Sequence, residues 1–286
     1  MKNVGQRKQT YSNFFLTTVW KYGFMTTMGT ENKTKINRLI NQWTTGAPSA
    51  TSYLVASGFG RDLLVKYKNS GWLEPCGRGA YIRSGDKVDW PGALYTLQTQ
   101  LGLPVHAGGK TALERKGYAH YLPARQKRVF LYGPRGLALP AWFKGNRFGV
   151  EFVVTRTNLF PVDLGEGFSE FREKDFSVRI SAPERAMLEM LHLAPRKVGF
   201  DEARLVMGNL VTLRPEVVQG LLEACRSVKV KRLFLYMAEN QEHAWLSKVD
   251  LSKVDLGKGK RMIVPNGRYD PKYRITVPVD REGMTA

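Results

Sequence analysis

The sequence predicts an α+β chain in two parts: three short helices closed by a β-hairpin, then a larger mixed α/β domain. Three observations carry this. Residues 60–83, GRDLLVKYKNSGWLEPCGRGAYIR, read as a short basic helix, a Ser70-Gly71 stop, and a hairpin turning on Cys76-Gly77-Arg78-Gly79. The stretch before them repeats apolar residues at helical spacing, with Gly and Pro between the repeats. The stretch after them alternates short apolar runs with amphipathic segments, the pattern of a mixed domain.

The elements follow in order. Ile36, Leu39, Ile40 and Trp43 fall on one helical face, which Gly46 and Pro48 end. Ser49 is placed to cap a second helix carrying Tyr53, Leu54 and Val55, and Gly58-Phe59-Gly60 makes a tight turn. On the third helix Leu63, Leu64 and Tyr67 point inward by spacing. Arg61, Val65 and Lys68 share another face, flanked by Asp62, Lys66 and Asn69. Helices followed at once by a hairpin make a winged helix-turn-helix, expected over residues 31–85. In such a module the last helix enters the major groove and the wing lies on the backbone or in the minor groove.

Charge supports a polyanionic partner. The 286 residues hold 44 Lys+Arg against 25 Asp+Glu, a formal net charge of +19, and polyanions head the partners of so basic a chain. Residues 31–85 have eight basic side chains and three acidic ones. Arg and Asn suit base edges and Lys suits phosphates, so Arg61, Asp62, Val65, Lys66, Lys68, Asn69, Arg78 and Arg83 form the expected DNA-binding set. Small winged modules also dock proteins, and that alternative stays open.

A second domain is expected over residues 90–286. Leu94, Leu97 and Leu101 mark a helix, and Thr111 with Glu114 suggests a capping box opening another. Runs at 129–132, 148–155 and 176–180 read as strands. Ser181-Ala182-Pro183-Glu184 is a helix start with Ser181 as cap. Two more helices are expected at 215–227 and 230–247, and closing strands at 261–264 and 273–277. Lys110, Arg115, Lys116, Arg125, Lys127 and Arg128 make a possible second basic surface for DNA or RNA, or simply a solvated face.

Several patterns point away from catalysis. Gly109-Lys110-Thr111 has Pro104 where a phosphate-binding loop needs its first glycine, although an anion at that helix N-terminus stays possible. His106, His120, His192 and His243 lack metal spacing, and Cys76 and Cys225 form no CxxC pair. No cofactor is expected. Glu151 with Glu170, Glu173 and Asp175 is the one set from which a metal-dependent nuclease, targeted by a winged module, would be built. Residues 14–25 are too short for a membrane span, so residues 1–30 are expected to be an extension that docks or stays disordered. The compartment is expected to be the cytoplasm, with no membrane partner.

Longer motifs add a resemblance. Trp43, Lys66-Tyr67, Ser70-Gly71-Trp72-Leu73, Gly77-Arg78-Gly79-Ala80-Tyr81 and Trp90-Pro91-Gly92-Ala93-Leu94 begin it. Gly108-Gly109-Lys110-Thr111-Ala112-Leu113, Gly117-Tyr118-Ala119-His120-Tyr121-Leu122, Leu139-Pro140-Ala141-Trp142-Phe143 and Leu256-Gly257-Lys258-Gly259-Lys260-Arg261 continue it. Together they resemble the AbiEi family, the antitoxins of abortive-infection toxin–antitoxin operons. The resemblance implies a non-enzymatic antitoxin and autorepressor. Its winged module would bind inverted repeats in double-stranded promoter DNA. Its C-terminal domain would counter a nucleotidyltransferase-like toxin, without a stable complex being required.

Overall fold

The computed structural model describes residues 35–118, 128–144 and 148–279. The expected extension at 1–30, together with His120, Arg125 and Lys127, lies outside the described residues. The chain divides into two compact units, residues 1–41 and 42–286. Of the first, the described part is most of helix α1 (Lys35–Gln42), whose one buried residue is Leu39, with Ile36 and Ile40 half-buried beside it.

The second unit opens with β1 (Ser49–Ala50), α2 (Thr51–Ala56) and α3 (Arg61–Asn69), then the wing strands β2 (Leu73–Pro75) and β3 (Ala80–Arg83). β1 pairs antiparallel with β3, so the small sheet runs β1-β3-β2. Ser49 does not cap α2. Its hydroxyl donates to Gln100 Oε1 at 3.2 Å, and Ala50 takes the cap position. Leu64 is fully buried and Leu63 and Tyr67 half-buried, which anchors α3 by its inner face. Burying one such leucine contributes about 1.5–3 kcal/mol. Gly71 ends the helix in the left-handed conformation at φ +75°.

The rest is built on a five-stranded sheet, order β6-β5-β4-β8-β7, from β4 (His106–Ala107), β5 (Arg128–Gly133), β6 (Glu151–Arg156), β7 (Phe168–Glu173) and β8 (Phe176–Ser181). β5 runs parallel to β6 and β4 parallel to β8, while β4–β5 and β7–β8 are antiparallel. α4 (Trp90–Tyr95) runs into a π-helical turn (Thr96–Gln100), and α5 (Gly109–Arg115) follows β4. Helix α6 (Pro183–Leu193) is buried almost throughout and packs against α5, α7 (Phe200–Asn209), α8 (Pro215–Ala224) and α9 (Val228–Asn240). A second small sheet, β10-β11-β9, closes the chain from β9 (Arg261–Met262), β10 (Arg268–Asp270) and β11 (Ile275–Val277).

Several sequence expectations are corrected. The sequence signals none of α7, β1, β4, β7 and β10. The helix expected over 230–247 ends at Asn240, and a 3-10 turn (Ala244–Lys248) follows. No capping box opens α5. The helix starts at Gly109, and Thr111 Oγ1 accepts from the Phe130 N–H at 2.8 Å, tying helix to sheet. At α6 the cap position is Ala182, because the Ser181 hydroxyl donates to Glu189 Oε2 at 2.7 Å. Both cysteines are buried thiols outside any disulfide, and burial pushes the Cys225 thiol up to about 11.

Candidate nucleic-acid interface

Helix α3 turns Arg61, Asp62, Val65, Lys66, Lys68 and Asn69 to solvent. Val65 is 45% exposed, an apolar residue in the middle of a polar face. Asp62 lies in the first turn, where a carboxylate favours the helix dipole. The side chains of Arg61, Lys66 and Lys68 make no ion pair among the described residues, so their charge faces outward.

The wing turn is held from two sides. The Gly79 carbonyl accepts from the Thr51 N–H at 2.9 Å, at the start of α2. Gly77, at φ +84°, lies so close to Trp142 that a Cβ there would come within 3.0 Å of the Trp142 Cα. Trp142 in turn packs edge-on to Phe143 and Phe148. A side chain at 77 would therefore push the turn off this aromatic wall. Between the two restraints stands Arg78, exposed and free of any ion pair among the described residues. Thr51, Ser52, Arg61, Val65, Arg78 and Tyr81 line a concavity of about 590 Å³ between helix and wing. Arg61 and Arg78, seventeen positions apart, thus face one cleft. Thr51, Ser52 and Tyr81 join them there, and no spacing signal in the sequence marks them.

Arg83 is placed differently. Its Nη2 donates to Asp86 Oδ1 at 2.8 Å, and Glu74 at the open end of the hairpin accepts from the Ser84 hydroxyl and the Gly85 N–H. Arg83 thus closes the wing's base.

The described cations of the second basic stretch are dispersed over α5, its C-cap and β5, and each has a partner within the chain. Lys110 forms an ion pair with Glu202. The Arg115 guanidinium lies 5.1 Å from the Trp90 ring centre and 5.2 Å from that of Phe171. The Lys116 ammonium donates to the Glu170 carbonyl at 3.4 Å. Arg128 Nε donates to Glu151 Oε2 at 2.9 Å across the parallel β5–β6 pair.

The helix start at Gly108-Gly109 holds an anion, and it is the chain's own. Glu189 of α6, 2% exposed, accepts from the Gly109 N–H at 3.0 Å and the Ser181 hydroxyl at 2.7 Å through Oε2. Its Oε1 meets His106 Nε2 at 2.8 Å and Arg185 Nε at 3.1 Å. A Cβ on Gly108 would come within 2.0 Å of Glu189 Oε2, which is why a glycine stands there. Burial opposes ionisation of Glu189, yet His106, Arg185 and the Ser181 hydrogen bond outweigh it and hold the carboxyl below its usual range. Burial likewise lowers the His106 pKa, against the pull of Glu189. The expected space for an external phosphate is therefore filled from inside.

The carboxylates of the nuclease alternative are not brought together. Glu151 is on β6 and Glu170 and Glu173 are on β7, the two opposite edges of the sheet. Four strand spacings of about 4.8 Å separate them by roughly 19 Å. Among the described residues no three His, Cys, Asp or Glu side chains gather as a metal ion requires, and no helix is long and apolar enough to cross a membrane.

A winged helix-turn-helix whose exposed helix has cations outside any ion pair among the described residues, joined to a larger mixed domain, is an architecture that transcriptional regulators use. Residues 32–124 match the model of the AbiEi antitoxin N-terminal domain, described as a transcriptional regulator. Residues 126–278 match the model of the transcriptional regulator AbiEi antitoxin of type IV toxin–antitoxin systems. This chain belongs to the AbiEi antitoxin family. Its fold is similar to the crystal structure of the RV2827C protein from Mycobacterium tuberculosis, with TM-score 0.56 and 14% identity over 84% of this chain and 88% of that one. Among curated proteins, none matches this chain.

Proposed function

We propose that this protein is the antitoxin of a two-gene toxin–antitoxin operon and represses that operon by binding inverted repeats in its own promoter. Residues 31–85 are the DNA-binding module and residues 90–286 the antitoxin domain, and the protein works in the cytoplasm without catalysis. The observation that carries the reading is the convergence of Arg61 and Arg78 on one cleft, beside the exposed Val65, Lys66 and Lys68 of α3. In this reading α3 lies in the major groove, with Arg61, Val65 and Asn69 toward base edges and Lys66 and Lys68 toward phosphates. Arg78 reaches the backbone or minor groove from the wing. Two molecules on an inverted repeat then place two such helices about one helical turn apart. The C-terminal domain counters a nucleotidyltransferase-like toxin, as family membership suggests.

Gel shift on the upstream promoter, at two salt concentrations, tests the repressor half. Arg61→Ala/Lys66→Ala should abolish selective binding and Arg78→Ala should weaken it. Equal, steeply salt-sensitive binding to any duplex would reduce the interaction to net charge. Co-expression with the neighbouring toxin gene tests the other half, since rescue of growth requires residues 90–286.

A further inference from the structure

The motif Leu256-Gly257-Lys258-Gly259-Lys260-Arg261 has no part in the reading above, yet the fold invests a buried charge in it. Arg232 of α9 is 2% exposed. Its guanidinium donates to the Leu256 carbonyl at 2.8 Å, Gly257 at 2.9 Å, Gly259 at 2.6 Å and Arg274 at 3.3 Å. All four acceptors are backbone carbonyls, and among the described residues the buried cation hydrogen-bonds to no carboxylate. Burial and the neighbouring Arg261 and Arg274 guanidiniums draw its pKa down, more than Tyr269 and Asp255 offset. With the loop's carbonyls turned inward, Lys258, Lys260 and Arg261 are exposed. Among the described residues none of these three pairs with a carboxylate, and nor does Arg274.

The adjoining sheet offers an aromatic surface. Ile275 and Val277 of β11 are fully buried, so Thr276 between them faces outward. Tyr269 of β10 and Met262 of β9 both lie in register with Thr276, on that same outer face. Met262 is 72% exposed and Tyr269 39%. The Lys260 ammonium stands 4.9 Å from the Tyr269 ring centre. A ring and a thioether on an open sheet, rimmed by cations without counter-ions, fit unpaired bases joined by phosphates. A duplex hides its base faces and would use only the rim.

We propose that the outer face of β10-β11-β9, with the Lys258–Arg261 loop, binds single-stranded nucleic acid, stacking a base on Tyr269 and neutralising phosphates with Lys258, Lys260 and Arg261. This site is separate from the winged module. The test is fluorescence anisotropy on the full chain, using fluorescein-labelled oligouridylate and oligothymidylate of about twelve nucleotides and a duplex of equal length. Tyr269→Ala should weaken single-strand binding about tenfold, Tyr269→Phe should retain it, and duplex binding should change less than about twofold. Lys260→Gln, on an exposed loop residue, should reduce the salt slope by about 0.7. Arg61→Ala/Lys66→Ala should leave single-strand binding intact, so failure here is distinct from failure of the promoter reading. Tighter binding of uridylate assigns the site to RNA, and equal binding assigns it to single strands of either kind. The proposal is overturned if folded Tyr269→Ala binds as wild type, or if Arg61→Ala/Lys66→Ala removes single-strand binding.

Discussion

Two stretches of this chain are rich in lysine and arginine, residues 61–83 and 110–128, and the fold treats most of their described cations differently. In the first, Arg61, Lys66, Lys68 and Arg78 sit on a helix and a turn whose inner faces are anchored by Leu64 and by Gly77 against Trp142. The cations are left outward and unpaired. In the second, Lys110 pairs with Glu202, Arg115 lies over two aromatic rings, and Arg128 pairs with Glu151. The lesson is that net charge along the sequence does not locate a binding surface. What matters is whether the packing supplies each cation with an internal partner.

The largest effect is expected at Glu189, the buried carboxylate that fills the helix start at the head of the second stretch. Glu189→Ala should cost about 3–5 kcal/mol, because it takes the carboxylate partner from the buried Arg185 and leaves the Gly109 N–H unpaired in the interior. Gly108→Ala should be comparably severe, since its methyl would overlap Glu189 Oε2. Thermal melts of both variants check this, and melting temperatures near wild type would mean that Gly108-Gly109 is kept for an external ligand.

The complementary change is at the outward cations. Arg61→Ala/Lys66→Ala should lower promoter affinity by about ten- to a hundredfold, from the worth of a lost base contact, with an unchanged melting temperature. Anisotropy on promoter DNA measures the first and circular dichroism the second. A large loss of stability instead would place these cations among the structural pairs.

Acid should separate the two regions further. The His106 pKa is lowered from 6.5, chiefly by burial, so the unfolded chain takes up a proton that the folded chain excludes. Stability therefore starts to fall as pH drops through about 6.5. Burial opposes ionisation of Glu184 and Glu189 as well, but Arg214 at the one and His106 and Arg185 at the other hold both below 4.5. Their contribution is present above that value and is lost as pH falls through the folded pKa. Melting temperature should thus hold steady above about pH 7 and decline in two stages below it. A flat profile down to pH 5 would show His106 to be charged in the fold.

The smallest effect is expected at Arg128→Gln. Both partners of its ion pair are about two-thirds exposed, so stability should change by less than about 1 kcal/mol. The salt slope of promoter binding should not move. A slope reduced by about 0.9 would return Arg128 to the DNA contacts.

The winged region was legible because its signals are local. Leu63, Leu64 and Tyr67 mark one face of α3, Ser70-Gly71 stops it, and the glycines around Arg78 make the turn. The missed elements lack such signals. On α7, Leu205 is 53% exposed and blurs the periodicity of Phe200, Ala203, Val206 and Met207. β7, FSEFRE, is an edge strand half open to solvent, and pairing with β8 defines it more than its own alternation.

By itself the sequence determined the order of helices and hairpin at the N-terminal end, the outward face of α3 and the family, since each rests on residues close together in the chain. Only the tertiary structure decided which cations stay unpaired, that Arg61 and Arg78 share a cleft, and that Glu189 fills the helix start at Gly109. Those outcomes depend on partners far apart in the sequence, eighty positions in the case of Glu189 and Gly109. Local spacing carries no record of such pairings, because packing forms them only when the chain closes on itself.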